Sequence, residues 1–500
     1  MSGFHLSNFL PHAAALYPER TFLLDGERSL TYAQSEAVVK RLASGIASSG
    51  VAPGDRVLLV SENRLELPLL TLAATQAGAV FSVLSAQITP TSLERIVTQC
   101  EPSLIILEDK RQDLKAACGT TTVWNLDKDY EEHSRTEPAE LPELEGGDAL
   151  AFLVFTSGST GMPRGVMLSH ANVRFVTQAI QDRLQYRKED RIGVFLPLSF
   201  DYGFYQIFYA LMTGAALFIG RPEMSGPELP LILARHEISV LPGVPTLFAG
   251  LIKRQSWRPV ALPKLRLLTN TGDHLPITHI RQLQALFQEV RIFPMYGLTE
   301  CKRVSILLPE ELMAHESSVG RALDGTEVWA ESPEGRKLAP GEVGELIIKG
   351  PNVGLGYWRS PEETQKRYRI QPDGSRLLAT GDFGAVDAEG FIHFHARSDF
   401  MIKHRGHRMS PAEIEEAACR SQHVAAAGCI KDEETDQLCL FLSSTNAERP
   451  EDAVILAELA ETLERAKLPD RLIYLPELPR TANQKVDRKA LKAFLATERK

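Results

Sequence analysis

Short apolar runs alternate with amphipathic stretches along most of this chain, and that rhythm restricts the fold more than any other feature. "DRVLLV" (55–60), "SLIIL" (103–107), "IGVFL" (192–196) and "AALFIG" (215–220) are short and apolar almost throughout. Runs of this kind suit strands covered on both faces. Between them lie helical patterns such as "SEAVVKRLASGIASSG" (35–50), which ends on Gly50 as a helix C-cap does. Strand, helix and strand in series imply a largely parallel sheet with helices on its faces. A chain of 500 residues is too long for one core, so two or more domains are expected.

The texture changes from about residue 315. "GEVGELIIKG" (341–350) and "FGAVDAEGFIHFHARSDF" (383–400) carry the turn spacing of antiparallel hairpins. After Asp399 a smaller unit is predicted, with helices over 410–421 and 450–467, strands over 424–430 and 437–444, and a basic tail. The expected organisation is α/β. A large N-terminal domain (1–398) combines helix-flanked, mostly parallel sheets with a β-rich subdomain. A small, mobile α+β C-terminal domain (399–500) follows, with a hinge near Asp399 between Arg397 and Lys403.

Bulk chemistry narrows the function classes. A net charge of −9 argues against a nucleic-acid-binding surface. No apolar run approaches the ~18 residues of a membrane span, and the N-terminus lacks the basic start and apolar core of a signal peptide. The six cysteines form no Cys-x-x-Cys pair and read as reduced thiols, so a cytoplasmic protein is expected.

"FTSGSTGMPRGVMLSH" (155–170) is the first stretch that carries chemistry. It follows the apolar strand "LAFLVF" (150–155). Gly158, Gly161 and Gly165 let backbone N–H groups approach an anion closely. Thr156, Ser157, Ser159 and Thr160 add hydroxyls, and Arg164 adds a cation. The stretch reads as a phosphate cradle, yet it lacks the Lys-Ser/Thr pair of an ordinary ATPase loop.

The stretch resembles the phosphate loop of the AMP-forming adenylating superfamily: acyl-CoA synthetases, nonribosomal peptide synthetase adenylation domains and firefly luciferase. Arg164 stands where that loop usually has Lys, which keeps the charge and changes the geometry. Further motifs follow in the family's order. "LTYAQSE" (30–36), "GDRV" (54–57) and "AGAVF" (77–81) resemble its early motifs and are read here as core packing. "YGLTE" (296–300) resembles the adenine-side motif, which implies that Tyr296, followed by Gly297, stacks on adenine, Thr299 bonds the α-phosphate and Glu300 holds Mg²⁺. "TGD" (380–382) places Asp382 on the ribose hydroxyls, with Arg397 as a second ribose contact. "PRTANQKVDRKAL" (479–491) resembles the C-terminal catalytic motif and puts Lys485 on the catalytic Lys, with Gln484 in place of the usual Gly. The resemblance further implies a rotation about Asp399 that exchanges Lys485 for "IKHRGHR" (402–408), which carries Lys403 and whose Gly406 region lines a thiol tunnel.

The implied reaction joins a carboxylic acid to AMP from ATP and then passes it to a thiol. "LPLSFDYGFYQ" (196–206) puts Asp201, with Tyr202 and Tyr205, where amino-acid adenylation domains bind the substrate's α-ammonium. An acid among Phe200 and Phe204 requires a cationic partner, either that ammonium or Arg303. Pro242, Thr269, Thr271 and Met295 complete the expected lining. The thiol is either the phosphopantetheine of a separate carrier protein or CoA, and the acid is an amino acid or, alternatively, a non-amino carboxylic acid. A luciferase-like oxygenase and a non-catalytic ligand sensor on the same scaffold are the remote alternatives.

Overall fold

The computed structural model describes residues 5–141, 144, 146–157, 163–397, 402–404, 407–409, 411–432, 434–435, 437–445, 449–463, 467–481 and 485–498. The four apolar runs form strands at Arg56–Val60, Leu104–Leu107, Arg191–Val194 and Ala216–Ile219. Each belongs to one of two large sheets. One has seven strands, and its Arg56–Val60, Val80–Leu84, Leu104–Leu107 and Thr122–Asn125 all run parallel. The other has nine, with parallel strands at its centre and antiparallel ones at its margins. The largest apolar cluster runs through these layers from Leu6 to Ile392, and a second one, with Leu58, Val60, Ile105 and Leu107, covers the other face of the seven-stranded sheet.

The early motifs do structural work, as their composition suggests. The helix Tyr32–Ser48 starts at a capping box in which Thr31 and Gln34 satisfy each other's backbone N–H. Tyr32 is fully buried, and its hydroxyl donates to Ala210 O and Ala215 O. This ties the first long helix to the turn before Ala216–Ile219.

The expected hairpins form a five-stranded antiparallel sheet, in which Arg376–Val386 pairs with Gly344–Lys349 on one side and Ile392–Arg397 on another. Beyond it, Val424–Lys431, Leu438–Ser444 and Arg471–Tyr474 make a separate three-stranded sheet. Leu438, Leu440 and Leu442 face one apolar cluster with Ile414 and Leu459, while Cys439 and Phe441 face another with Leu491 and Leu495. Alternate side chains pointing to opposite covered faces explain why "QLCLFLSS" reads as an unbroken apolar run. The helix predicted over 450–467 is shorter, Asp452–Thr462, because Leu463 turns extended (φ −107°, ψ 142°) and buries its side chain. The chain is thus a large N-terminal α/β unit with a smaller C-terminal one. Among the described residues, no helix is long and apolar enough to cross a membrane, and none of the six cysteines is disulfide-bonded.

Candidate active site

Three parallel strands, Val240–Gly243, Leu267–Asn270 and Arg291–Tyr296, end side by side. Pro242 pairs with Thr269 and Thr269 with Phe293. Loops leave an open α/β sheet at the carboxyl ends of its strands, and pockets form there. Pro242, Thr269, Thr271 and Met295 are buried at that edge.

The strand Arg291–Tyr296 then folds back on itself, pairing Met295 with Ile306 and Tyr296 with Ser305. The intervening loop is tight. A Cβ at Gly297 would lie 2.3 Å from Lys302 O, so only glycine fits there. Lys302 is left-handed at φ +58°, a conformation that costs a non-glycine residue about 1 kcal/mol or more. This one loop supplies side chains to three clusters.

In the first cluster, the Tyr296 hydroxyl donates to Asp382 Oδ2 at 2.6 Å. Asp382 is cross-strand from Arg397, and its N–H donates to Thr380 Oγ1 at 3.0 Å. Burial, reinforced by the Asp382 carboxylate, holds the Tyr296 phenol well above its ordinary pKa.

The second cluster surrounds Glu300, whose Oε1 accepts from the Tyr357 hydroxyl at 2.7 Å. Tyr357 arrives there because Gly356–Tyr357 adds to the edge of Pro163–Ser169, with Tyr357 opposite Val166. Arg164 sits over the Tyr357 ring, 5.8 Å from its centroid, and pairs with Glu363 at 2.8 Å. Thr156 lies directly across from Arg164, and Ser157 across from Pro163. The two ends of the glycine-rich stretch are therefore the paired arms of an antiparallel hairpin. The helix His170–Leu184 begins only after the second arm, so this loop does not lead straight into a helix as an ordinary ATPase loop does. Gly158, Ser159, Thr160 and Gly161 lie outside the described residues. Thr299 is half-buried beside Glu300. No group of three or more metal-ligating side chains occurs among the described residues. A single carboxylate suits a hard cation that keeps its waters and takes phosphate oxygens, and Glu300 fits that use.

The third cluster corrects the sequence expectation for Asp201. Its partner within the protein is Lys302, not Arg303: Lys302 Nζ lies 3.2 Å from Asp201 Oδ2, with side chains only 2% and 9% exposed. Arg303 instead donates to Thr271 Oγ1 and lies over the Tyr202 ring at 5.5 Å. The hydroxyls of Tyr202 and Thr269 are 2.5 Å apart, and Lys302 Nζ is 4.3 Å from the Tyr205 ring centroid. The left-handed turn at Lys302 lets two consecutive cations both enter the interior. Burial pulls the Lys302 ammonium down from 10.5 to about 8, while Asp201 pulls it the other way. A narrow apolar cleft borders Asp201 and is lined by Phe152 and Val154 of the strand that leads into the phosphate loop.

Lys485 lies in a small turn in which Thr481 N–H donates to Lys485 O at 2.8 Å. Its side chain is exposed, and among the described residues no contact joins it to Tyr296, Glu300 or Asp201. Arg488 holds this segment down through its Nη2, which donates to both carboxylate oxygens of Glu415, at 2.5 and 2.7 Å. Asp273, two residues beyond Thr271, acts electrostatically on both Glu415 and Arg480. Lys403 lies in the strand Ile402–His404, whereas Asp399 and Gly406 are outside the described residues. Sequence reasoning missed Lys302, Tyr357 and Glu363. For Lys302 the signal was present, since "TECKR" sets cations two and three residues after Glu300.

Comparison with known proteins gives a consistent result. The sequence pattern described as "AMP-binding enzyme" matches residues 10–358. An L-proline–[L-prolyl-carrier protein] ligase from Pseudomonas fluorescens is 29% identical over 96% of this chain and 97% of its own length. Among solved structures, VinN in complex with L-aspartate is 30% identical, with a TM-score of 0.72 over 79% of this chain and 98% of that one. The o-succinylbenzoate CoA synthetase MenE of Bacillus subtilis, solved with its acyl-adenylate, is 26% identical, with a TM-score of 0.85 over 98% and 99%.

Proposed function

Since the chain belongs to the AMP-binding enzyme family, whose members here are adenylate-forming ligases, we propose that it activates an amino acid with ATP and passes the acyl group to the phosphopantetheine thiol of a separate carrier protein. The observation that carries this reading is the placement of Asp201. It is a buried acid at the carboxyl edge of the sheet, and its partner Lys302 stands two residues from the nucleotide-side Glu300. Lys302 takes Asp201 Oδ2, which leaves Oδ1 for a substrate ammonium. The carrier-protein ligase for L-proline and the VinN complex with L-aspartate support an amino acid as the class of acid.

Attack by a carboxylate on the α-phosphate brings two anions together, so fixed cations must lower the barrier. Tyr296 would offer its face to the purine, and Asp382 its carboxylate to the ribose hydroxyls. Arg164, leaving Glu363, would move onto the phosphates, and Glu300 would hold magnesium with Tyr357 fixing its orientation. Bound magnesium screens the phosphates and favours release of pyrophosphate. Lys485 would reach the junction of carboxylate and α-phosphate when the C-terminal unit, 399–500, closes about a hinge near Asp399.

A second reading, ligation of a non-amino acid to CoA, is favoured by the fact that Asp201 already has a cation of its own. ATP–pyrophosphate exchange across amino, aryl and fatty acids separates the two. Exchange with amino acids that Asp201→Ala abolishes supports the first, and exchange with acids lacking an amine supports the second. Thioester formation on a phosphopantetheinylated carrier, compared with CoA, then identifies the thiol.

A further inference from the structure

The third cluster holds more positive charge than its own acid can balance. The Lys302 side chain is 2% exposed and Arg303 is likewise 2% exposed, and Asp201 at 9% is the carboxylate paired with Lys302. Lys302 uses that carboxylate. Among the described residues, Arg303 pairs with no carboxylate: its side chain donates to the neutral Thr271 hydroxyl, and its Nε is buried without any hydrogen-bond partner. A buried guanidinium without a counter-anion is costly, because its charge has left water and found no opposite charge. Arginine's planar fork, with five donors and no acceptor, fits a carboxylate bidentately. The cluster is thus suited to receive an anion.

We infer that the acid activated here carries a second carboxylate, held by Arg303 with Lys302 beside it, so that the substrate is an amino dicarboxylic acid. The inference rests on the adenylating reading and deepens it. The reacting carboxylate cannot fill the role throughout, since it loses its negative charge when it becomes the mixed anhydride with AMP. A substrate ammonium at Asp201 would add a further cation to the cluster, which sharpens the need for another anion. Neutral amino acids leave Arg303 unpaired, and a site with an unpaired buried polar group rejects the analogue that fails to fill it.

The test is ATP–pyrophosphate exchange by the full chain with aspartate, glutamate and their β-amino isomers, against asparagine, glutamine, L-proline and benzoate. The amides match the diacids in shape and lack only the charge. The expected result is a kcat/KM for the best diacid ~100-fold or more above that of its amide, the size expected for a buried charge pair. In Arg303→Gln that ratio should collapse, largely through KM, with Arg303→Lys recovering part of it. The wild-type ratio alone decides the matter if the variant does not fold. Exchange that favours proline or an amide over every diacid overturns this inference and leaves the adenylating reading standing. An Arg303→Gln loss equal for all acids also overturns it, because Arg303 would then serve the reacting carboxylate. Silence with every acid overturns the adenylating reading, and this inference with it.

Discussion

Removing the acid of the buried pair, by Asp201→Asn, gives a sharp physical test of the site's electrostatics. In the wild type Lys302 keeps its proton at neutral pH, but burial has lowered its pKa from 10.5 to about 8. Each unit is worth about 1.4 kcal/mol, so holding the charged lysine inside already costs roughly 3 kcal/mol. Asp201 supplies both interactions that favour the charged form. Without it the pKa falls below 8, and the cheaper folded state has a neutral lysine. At pH 7 deprotonation costs roughly 5 kcal/mol relative to the unfolded chain, only about 1–2 more than the wild type pays. At pH 6 the excess is roughly 3 kcal/mol, and at pH 8 it is close to zero. The sign follows from proton binding. In the variant the unfolded lysine holds a proton that the folded one lacks, so variant stability rises with pH from 6 to 8, whereas the wild type gains from this group only between 8 and 10.5. For a cooperative unit of about 400 residues the unfolding entropy is about 0.8 kcal/mol/K, which turns these figures into a melting-point loss of about 3 °C at pH 6 and under 1 °C at pH 8. Thermal unfolding followed by near-ultraviolet circular dichroism at both pH values reads this directly. An equal loss at pH 6 and pH 8 would refute the argument, because Lys302 would then not be shedding a proton.

Three further outcomes are expected. Tyr357→Phe removes the 2.7 Å hydrogen bond to Glu300 and should raise the magnesium concentration for half-maximal pyrophosphate exchange ~10-fold, the worth of one hydrogen bond to a charged group. An unchanged magnesium titration would show that Glu300 needs no such support. Lys485→Ala should slow adenylation by ~10²–10³ while sparing thioester formation from a supplied acyl-adenylate. Equal losses in the two half-reactions would count against its role. Gly297→Ala drives a methyl group to 2.3 Å from Lys302 O and should destabilise the chain by about 1–3 kcal/mol, lowering the melting point, with weakened ATP binding from the displaced loop. A melting point within error of the wild type would mean that the loop relaxes freely.

Much of the architecture was legible along the chain because it depends on local pattern. Apolar runs of strand length, helices with a capping box at Thr31 and a terminal Gly50, and turn residues between short strands each act over a few positions. The same holds for Tyr296, Gly297, Asp382 and the arms of the loop at Thr156 and Arg164, which lie in compact motifs. The structure brings Tyr296 and Asp382 together and puts Thr156 across from Arg164.

What the amino-acid order determined by itself was the alternation that builds a parallel sheet and the motifs that sit at its edges. Which cation neutralises Asp201 was settled only in three dimensions. Lys302 and Arg303 are adjacent in sequence, and a left-handed backbone at Lys302 sends one to the acid and the other to Thr271. Tyr357 reaches Glu300 for a similar reason, since a two-residue strand adds to a hairpin formed almost two hundred positions earlier. Such pairings depend on distances across folded backbone, and a charge's partner is chosen by burial and reach, neither of which a linear pattern contains.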